Sequence, residues 1–115
     1  MDHRIEKIEA LIQSLLAESI ARDFQTSREI IISITRVKAS GNLQEAKVYV
    51  SVLPDRIREQ TVSKLERNAR FFQTMLNKKL RMRPVPKIIF VADANPAQAQ
   101  QVETILEELK RSENH

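Results

Sequence analysis

The sequence predicts an α+β domain with two layers, in which a three-stranded sheet is packed by helices. Two observations predict this class. Segments with apolar residues every three or four positions alternate with β-branched segments, in the order helix, strand, strand, helix, strand, helix. The chain has 115 residues, the size of one domain with a single core, and it contains no cysteine. The core therefore has to form from apolar packing alone, without disulfides.

The first element is an amphipathic helix over residues 4–21. Its apolar side chains recur at helical spacing, so we expect one buried face. That face comprises Ile5, Ile8, Ile12, Leu15 and Leu16, with Leu11 and Ile20 at its margins.

Two strands follow as a β-hairpin. Residues 29–39 are rich in isoleucine, but their alternation slips by one position near Thr35 and Arg36, which predicts a bulge. The turn at 40–43 holds the only glycine, next to an asparagine. Residues 46–52 then alternate strictly, which places four small apolar side chains inward: Ala46, Val48, Val50 and Val52.

A long helix opens at Pro54 and Asp55, because proline and an acidic residue are both favourable in a first turn. Its expected core stripe consists of Ile57, Val62, Leu65, Ala69, Phe72, Leu76 and Leu80. A single helix reaching Arg81 would be unusually long for a small domain, so we expect a kink within it. Phe71 lies on or beside the stripe, and we expect both it and Phe72 to be core residues.

A third strand is predicted over residues 85–93, with Ile88 and Phe90 on one face. A last helix is predicted over 97–111, where Val102, Ile105, Leu106 and Leu109 have helical spacing. Residues 1–111 thus form one predicted domain, and residues 112–115 a disordered tail.

Positive charge is concentrated in the middle of the chain. The net charge is +4, with −2 over residues 1–35, +9 over 36–87 and −3 over 88–115. Within 64–87 the only acidic residue is Glu66. Such a segment is typical of a protein that binds a polyanion, although a solvated basic face without a ligand has the same composition.

Several kinds of chemistry are excluded by composition. One glycine cannot build a glycine-rich phosphate loop. The two histidines, His3 and His115, lie at opposite termini and are poor candidates for catalysis or metal binding. We therefore expect no enzyme activity, metal or cofactor. No long apolar run or secretory signal is present, which predicts a cytoplasmic protein that does not enter membranes.

Two motifs carry a family resemblance. The first hairpin strand has V-x-x-S-x-x-L at Val37, Ser40 and Leu43 and is followed by AKVYVSV at 46–52. The long helix ends with L-x-x-x-L-R-x-R-x-V-P-x-I-x-F-x-x-D, which runs from Leu76 to Asp93. Over residues 4–109 the chain resembles the bacterial ribosome-binding factor A family. The resemblance implies a KH-like fold of type II, with the order α-β-β-α-kink-α-β-α.

The resemblance also locates the kink. Members of the family commonly have Ala-x-Gly between the two helices, and the corresponding residues here are Asn68, Ala69 and Arg70. Arg70 therefore replaces the family's glycine. Either Asn68 or Ala69 carries the bend, or the helix is straighter than in relatives. Asparagine tolerates left-handed backbone geometry better than most residues, so Asn68 is a candidate hinge.

The function implied by the resemblance is that of an assembly factor without catalysis. Such a factor binds the immature, free 30S subunit and its 16S rRNA and assists a late step in the processing of the precursor rRNA. We expect a monomer with no small-molecule substrate. Basic side chains bind folded RNA through its phosphates, so ten residues are candidate RNA contacts. They are Arg70, Lys78, Lys79, Arg81, Arg83 and Lys87, with Lys64, Arg67, Arg36 and Lys38 as weaker members. Tyr49 is the one ring expected to be exposed.

Three other functions remain open. The chain could be a general basic KH-like RNA-binding module without ribosome specificity. It could instead recruit a protein through the outer face of residues 46–52 or through the acidic helix at 97–111. A nuclease with Asp93 and Glu103 as metal ligands is disfavoured, because no third ligand is evident in the sequence.

Overall fold

The computed structural model describes residues 3–24 and 27–93. The elements are helix α1 (Arg4–Asp23), strands β1 (Ile31–Ala39) and β2 (Glu45–Leu53), a 3₁₀ turn (Asp55–Ile57), helices α2 (Arg58–Arg67) and α3 (Ala69–Lys79), and strand β3 (Lys87–Ala92). The predicted α+β class and the order of these elements are confirmed. The predicted helix at 97–111 and the tail at 112–115 lie outside the described residues.

The three strands form one sheet in the order β1-β2-β3. Strands β1 and β2 are an antiparallel hairpin, whereas β2 and β3 run parallel. A parallel pair needs a long crossover connection, which helices α2 and α3 supply here. The crossover thereby fixes these two helices on the sheet.

The predicted bulge in β1 is confirmed. Ile34 pairs with Val50 and Arg36 pairs with Tyr49, so Thr35 is the extra residue. The Thr35 hydroxyl donates a hydrogen bond to Asp93 Oδ2 at 2.5 Å. The bulged residue therefore ties the first strand to the end of β3 across the middle strand.

The core lies between the helices and one face of the sheet. The four inward side chains predicted for β2 are all buried, and Phe72 is 1% exposed at the centre. The Phe72 ring contacts two others, with centroid distances of 6.5 Å to Phe24 and 5.5 Å to Phe90. These rings join α3 to the end of α1 and to β3, so Phe72 connects three elements.

Two residues expected to be in the core are exposed. Leu11 is 48% exposed and Phe71 is 52% exposed. Each directly precedes a fully buried residue, Ile12 or Phe72. Consecutive helical residues are separated by about 100° around the axis, so the preceding side chain points away from the sheet. The prediction was wrong for Leu11 and Phe71 because the buried stripe is narrower than the apolar stripe.

The free edge of β1 is covered by polar side chains from α1. Glu9 Oε2 accepts a hydrogen bond from the Ala39 N–H at 2.8 Å. Gln13 Nε2 donates to the Ile34 carbonyl at 2.9 Å. Edge strands expose unpaired backbone groups, so these contacts both attach α1 and protect the edge.

The opposite edge, along β3, is covered in the same way by α2 and α3. Glu66 Oε2 accepts from the Phe90 N–H at 2.7 Å. The Gln73 amide accepts from the Ile88 N–H at 2.9 Å and donates to the Pro86 carbonyl at 3.0 Å. Glu66, the only acidic residue within 64–87, is thus committed to the sheet edge.

Candidate nucleic-acid interface

The predicted kink separates α2 from α3 at Asn68, without the glycine that the resemblance implied. Asn68 has φ −101° and ψ 14°, so the bend does not use the left-handed geometry that asparagine tolerates. This right-handed bridge region is open to any residue, so no glycine is required. The Asn68 N–H donates to the Leu65 carbonyl at 3.0 Å, and the Phe71 N–H donates to the Asn68 carbonyl at 3.0 Å. The side-chain amide donates to the Lys64 carbonyl at 2.8 Å.

We expect Asn68→Ala to lower the free energy of unfolding by about 0.5–1.5 kcal/mol, because it removes the side-chain hydrogen bond that ends α2. Urea unfolding followed by circular dichroism measures the change. Thr74→Ala is the matched control, since Thr74 is an exposed residue of α3. A loss of stability in Thr74→Ala equal to that in Asn68→Ala would contradict a specific role for the capping amide.

An open groove of about 530 Å³ lies on the outer surface at the kink. We call it the kink groove. It is lined by Arg67, Asn68, Arg70, Phe71, Thr74, Met75, Lys78 and Lys79. Its four cations come from both helices and are all exposed. Spacings of three and four residues bring side chains to the same side of a helix, which explains why they converge.

The four cations of the kink groove have no ion-pair partner within the part of the chain that the structure describes. Glu66 lies in the preceding turn, but its carboxylate binds the Phe90 N–H. Four exposed cations around one groove suit a ligand with several phosphates.

Arg81, another predicted contact, lies in a separate groove of about 550 Å³. This second groove is lined by His3, Arg4, Lys7, Ile8, Leu11, Leu80, Arg81 and Met82. The sequence did not indicate Arg4 and Lys7 as partners of Arg81, because only the packing of α1 beside the end of α3 brings them together.

Arg83 has a structural role that the sequence did not reveal. Its guanidinium donates to the carbonyls of Asn77 at 2.8 Å, Leu80 at 3.1 Å and Met82 at 2.6 Å. The last carbonyls of a helix lack intrahelical partners, so Arg83 caps the end of α3. Its assignment as an RNA contact stays a prediction.

The remaining predicted cations are distributed over other surfaces. Arg36 stacks on the Tyr49 ring at 4.0 Å from its centroid, and Lys38 faces Lys47 across the hairpin. The Lys64 ammonium lies 5.7 Å from the centroid of the Phe24 ring. Lys87 is exposed at the start of β3. Tyr49 is only half-buried, and Arg36 occupies one side of its ring.

The geometry gives no support to the nuclease alternative. The Asp93 carboxylate accepts a hydrogen bond from the Thr35 hydroxyl. Glu103 lies outside the described residues. Within the described part of the chain, no three histidine, aspartate or glutamate side chains are grouped as a metal site requires. Four of the predicted cations of α2 and α3 converge at the kink groove: Arg67, Arg70, Lys78 and Lys79.

A family model described as ribosome-binding factor A matches residues 4–106. The chain belongs to the ribosome-binding factor A family. Among its relatives is the ribosome-binding factor A of Bdellovibrio bacteriovorus, which is 35% identical over 108 residues, covering 93% of this chain and 81% of the relative.

Solved structures of ribosome-binding factor A proteins are similar as well. The NMR structure of a Thermotoga maritima protein, described as a putative ribosome binding factor A, has a TM-score of 0.68 and 35% identity. The match covers 81% of this chain and 90% of the Thermotoga chain. A homology model of the Thermus thermophilus factor, fitted into a cryo-EM map of a 30S complex, has a TM-score of 0.62 and 26% identity. The match covers 74% of this chain and 90% of the Thermus chain. These matches confirm the predicted fold class.

Proposed function

We propose that this member of the ribosome-binding factor A family is an assembly factor for the small ribosomal subunit. It binds the free 30S subunit and its 16S rRNA and assists late maturation of the precursor rRNA. The observation that carries the proposal is the kink groove, where four exposed cations converge without a carboxylate among the described residues. The Thermus relative, fitted into the map of a 30S complex, supports the same partner.

The kink groove suits RNA through the chemistry of its cations. Arg67 and Arg70 offer planar guanidinium groups that donate two parallel hydrogen bonds to a phosphate. Lys78 and Lys79 add compact charges about two turns further along α3 than Arg70. Contacts of this kind fix the position of an RNA without reading its sequence, as expected for a protein that recognises folded ribosomal RNA.

The proposal involves binding only, with no catalysis. Asp93, the acidic residue considered for metal binding, is used as a hydrogen-bond acceptor within the fold. We further propose that the factor is a cytoplasmic monomer, as expected for a partner of ribosomal subunits. Within the described residues, no helix has the length and apolar character needed to cross a bilayer.

Co-sedimentation of the purified protein with 30S subunits, 70S ribosomes and free rRNA, at two salt concentrations, tests this function. We expect saturable binding to 30S subunits that persists at the higher salt and is weaker on 70S ribosomes. Equal binding to all three that disappears at higher salt would indicate a general RNA-binding module. Binding to none of them would overturn the proposal and favour a protein-interaction module.

A further inference from the structure

We propose that Phe71 is a stacking platform for an unpaired RNA base, while the cations of the kink groove hold the phosphates on either side of that base. The inference rests on the proposed RNA-binding function of this groove and adds a ligand class to it. The class is single-stranded RNA, or an unpaired nucleotide in a loop or bulge.

The first observation is the exposure of the Phe71 ring. Four large apolar side chains are exposed among the described residues, namely Leu11, Ile31, Leu53 and Phe71. Phe71 is the only aromatic one, and it is 52% exposed. It is also the one that lines the kink groove, next to Arg67 and Arg70. An accessible aromatic surface and phosphate-binding cations therefore share one groove.

The second observation is that the Phe71 ring is held in place. It makes an edge-to-face contact with Phe72, with a centroid distance of 5.3 Å and an interplanar angle of 81°. Phe72 is itself fixed in the core against Phe90. A ring anchored on one side loses little conformational freedom when a base stacks on its accessible surface.

The groove also has the size and polarity that a nucleotide requires. Its volume of about 530 Å³ lies within the usual range for small-molecule pockets. Met75 contributes a second apolar side chain, while Lys78 and Lys79 lie on the same side of α3. Bases within an A-form duplex are stacked on each other and are not available to an aromatic side chain, so the ligand has to be unpaired.

A tryptophan at position 71 tests stacking directly. The chain contains no tryptophan, so Phe71→Trp creates a single fluorophore in the groove. We expect a single-stranded RNA of about ten nucleotides to quench its emission. An RNA of the same length with abasic residues keeps the phosphates and should leave the emission unchanged. Equal quenching by both RNAs, or shielding of the fluorophore from iodide in the free protein, would overturn the proposal.

Affinity measurements test the contribution of the native ring. We expect Phe71→Leu to weaken binding of the single-stranded RNA about 5- to 150-fold, and Phe71→Tyr to retain it. Binding of the corresponding duplex RNA and the salt dependence should not change. Ile31→Ala is the matched control, because Ile31 is an equally exposed apolar residue outside the kink groove.

The two proposals fail in different ways. Undiminished binding of single-stranded RNA by Phe71→Leu, together with weaker binding after the groove cations are removed, would overturn stacking and retain the RNA-binding function. Undiminished binding after removal of the cations would overturn the groove as the RNA interface, and the stacking proposal with it.

Discussion

Replacement of Phe72 with alanine is expected to lower the free energy of unfolding by about 3–5 kcal/mol. Phe72 is 1% exposed, and its ring contacts Phe24 at the end of α1 and Phe90 in β3. The substitution leaves a cavity where three elements meet, and this loss is a large part of the stability of a domain of this size. Thermal and urea unfolding of the variant measure it.

The neighbouring Phe71→Ala variant is the matched control, because it removes a ring of the same size from the same helix. Phe71 is half-exposed and contacts Phe72 by its edge. Loss of one aromatic pair costs about 0.5–1.5 kcal/mol, so Phe71→Ala should be clearly more stable than Phe72→Ala. Similar losses in both variants would contradict the assignment of one ring to the core and the other to the surface.

The order of elements could be predicted because periodicity along the chain reports directly on buried faces. Strict alternation in β2 placed Ala46, Val48, Val50 and Val52 correctly, and all four are buried. The slip near Thr35 likewise predicted a bulge that the strand register confirms. The kink was predictable from helix length, although the conformation of Asn68 was not, because several backbone regions bend a chain equally well.

The polar contacts that attach the helices to the sheet could not be predicted. Glu9 and Gln13 on α1, and Glu66 and Gln73 on α2 and α3, resemble ordinary solvated helix residues in the sequence. Their role at the sheet edges depends on how the helices lie across the strands, which is a tertiary property. Burial at the margin of an apolar stripe also depends on how the helix lies on the sheet. For this reason the burial of Phe71 could not be decided from the sequence.

The candidate site was partly predictable. Ten cations were predicted as RNA contacts, and the kink groove brings four of them together, namely Arg67, Arg70, Lys78 and Lys79. The capping of α3 by Arg83 could not be predicted, because its carbonyl partners become available only where the helix ends. The exposure of Phe71 did have a signal in the sequence. Phe71 lies immediately before Phe72, on the margin of the apolar stripe of the long helix.

Removal of three cations from the kink groove is expected to weaken binding to 30S subunits and to RNA about 10²- to 10³-fold near 0.1 M salt. The variant is Arg70→Gln, Lys78→Gln and Lys79→Gln combined, which avoids the structural Arg83. The matched control combines Arg28→Gln, Lys47→Gln and Arg56→Gln, three exposed cations that lie outside the kink groove and are not candidate RNA contacts. Both variants lose three positive charges from a chain of net charge +4, so non-specific attraction falls equally in both.

The salt dependence of binding distinguishes local contacts from general attraction. Each lost phosphate contact lowers the slope of log affinity against log salt by about 0.7–0.9, so the groove variant should lose about two to three units. The control variant should keep the native slope. A loss confined to the control variant would contradict the kink groove as the RNA interface. Because the two variants have the same net charge, only the position of the cations can explain a difference between them.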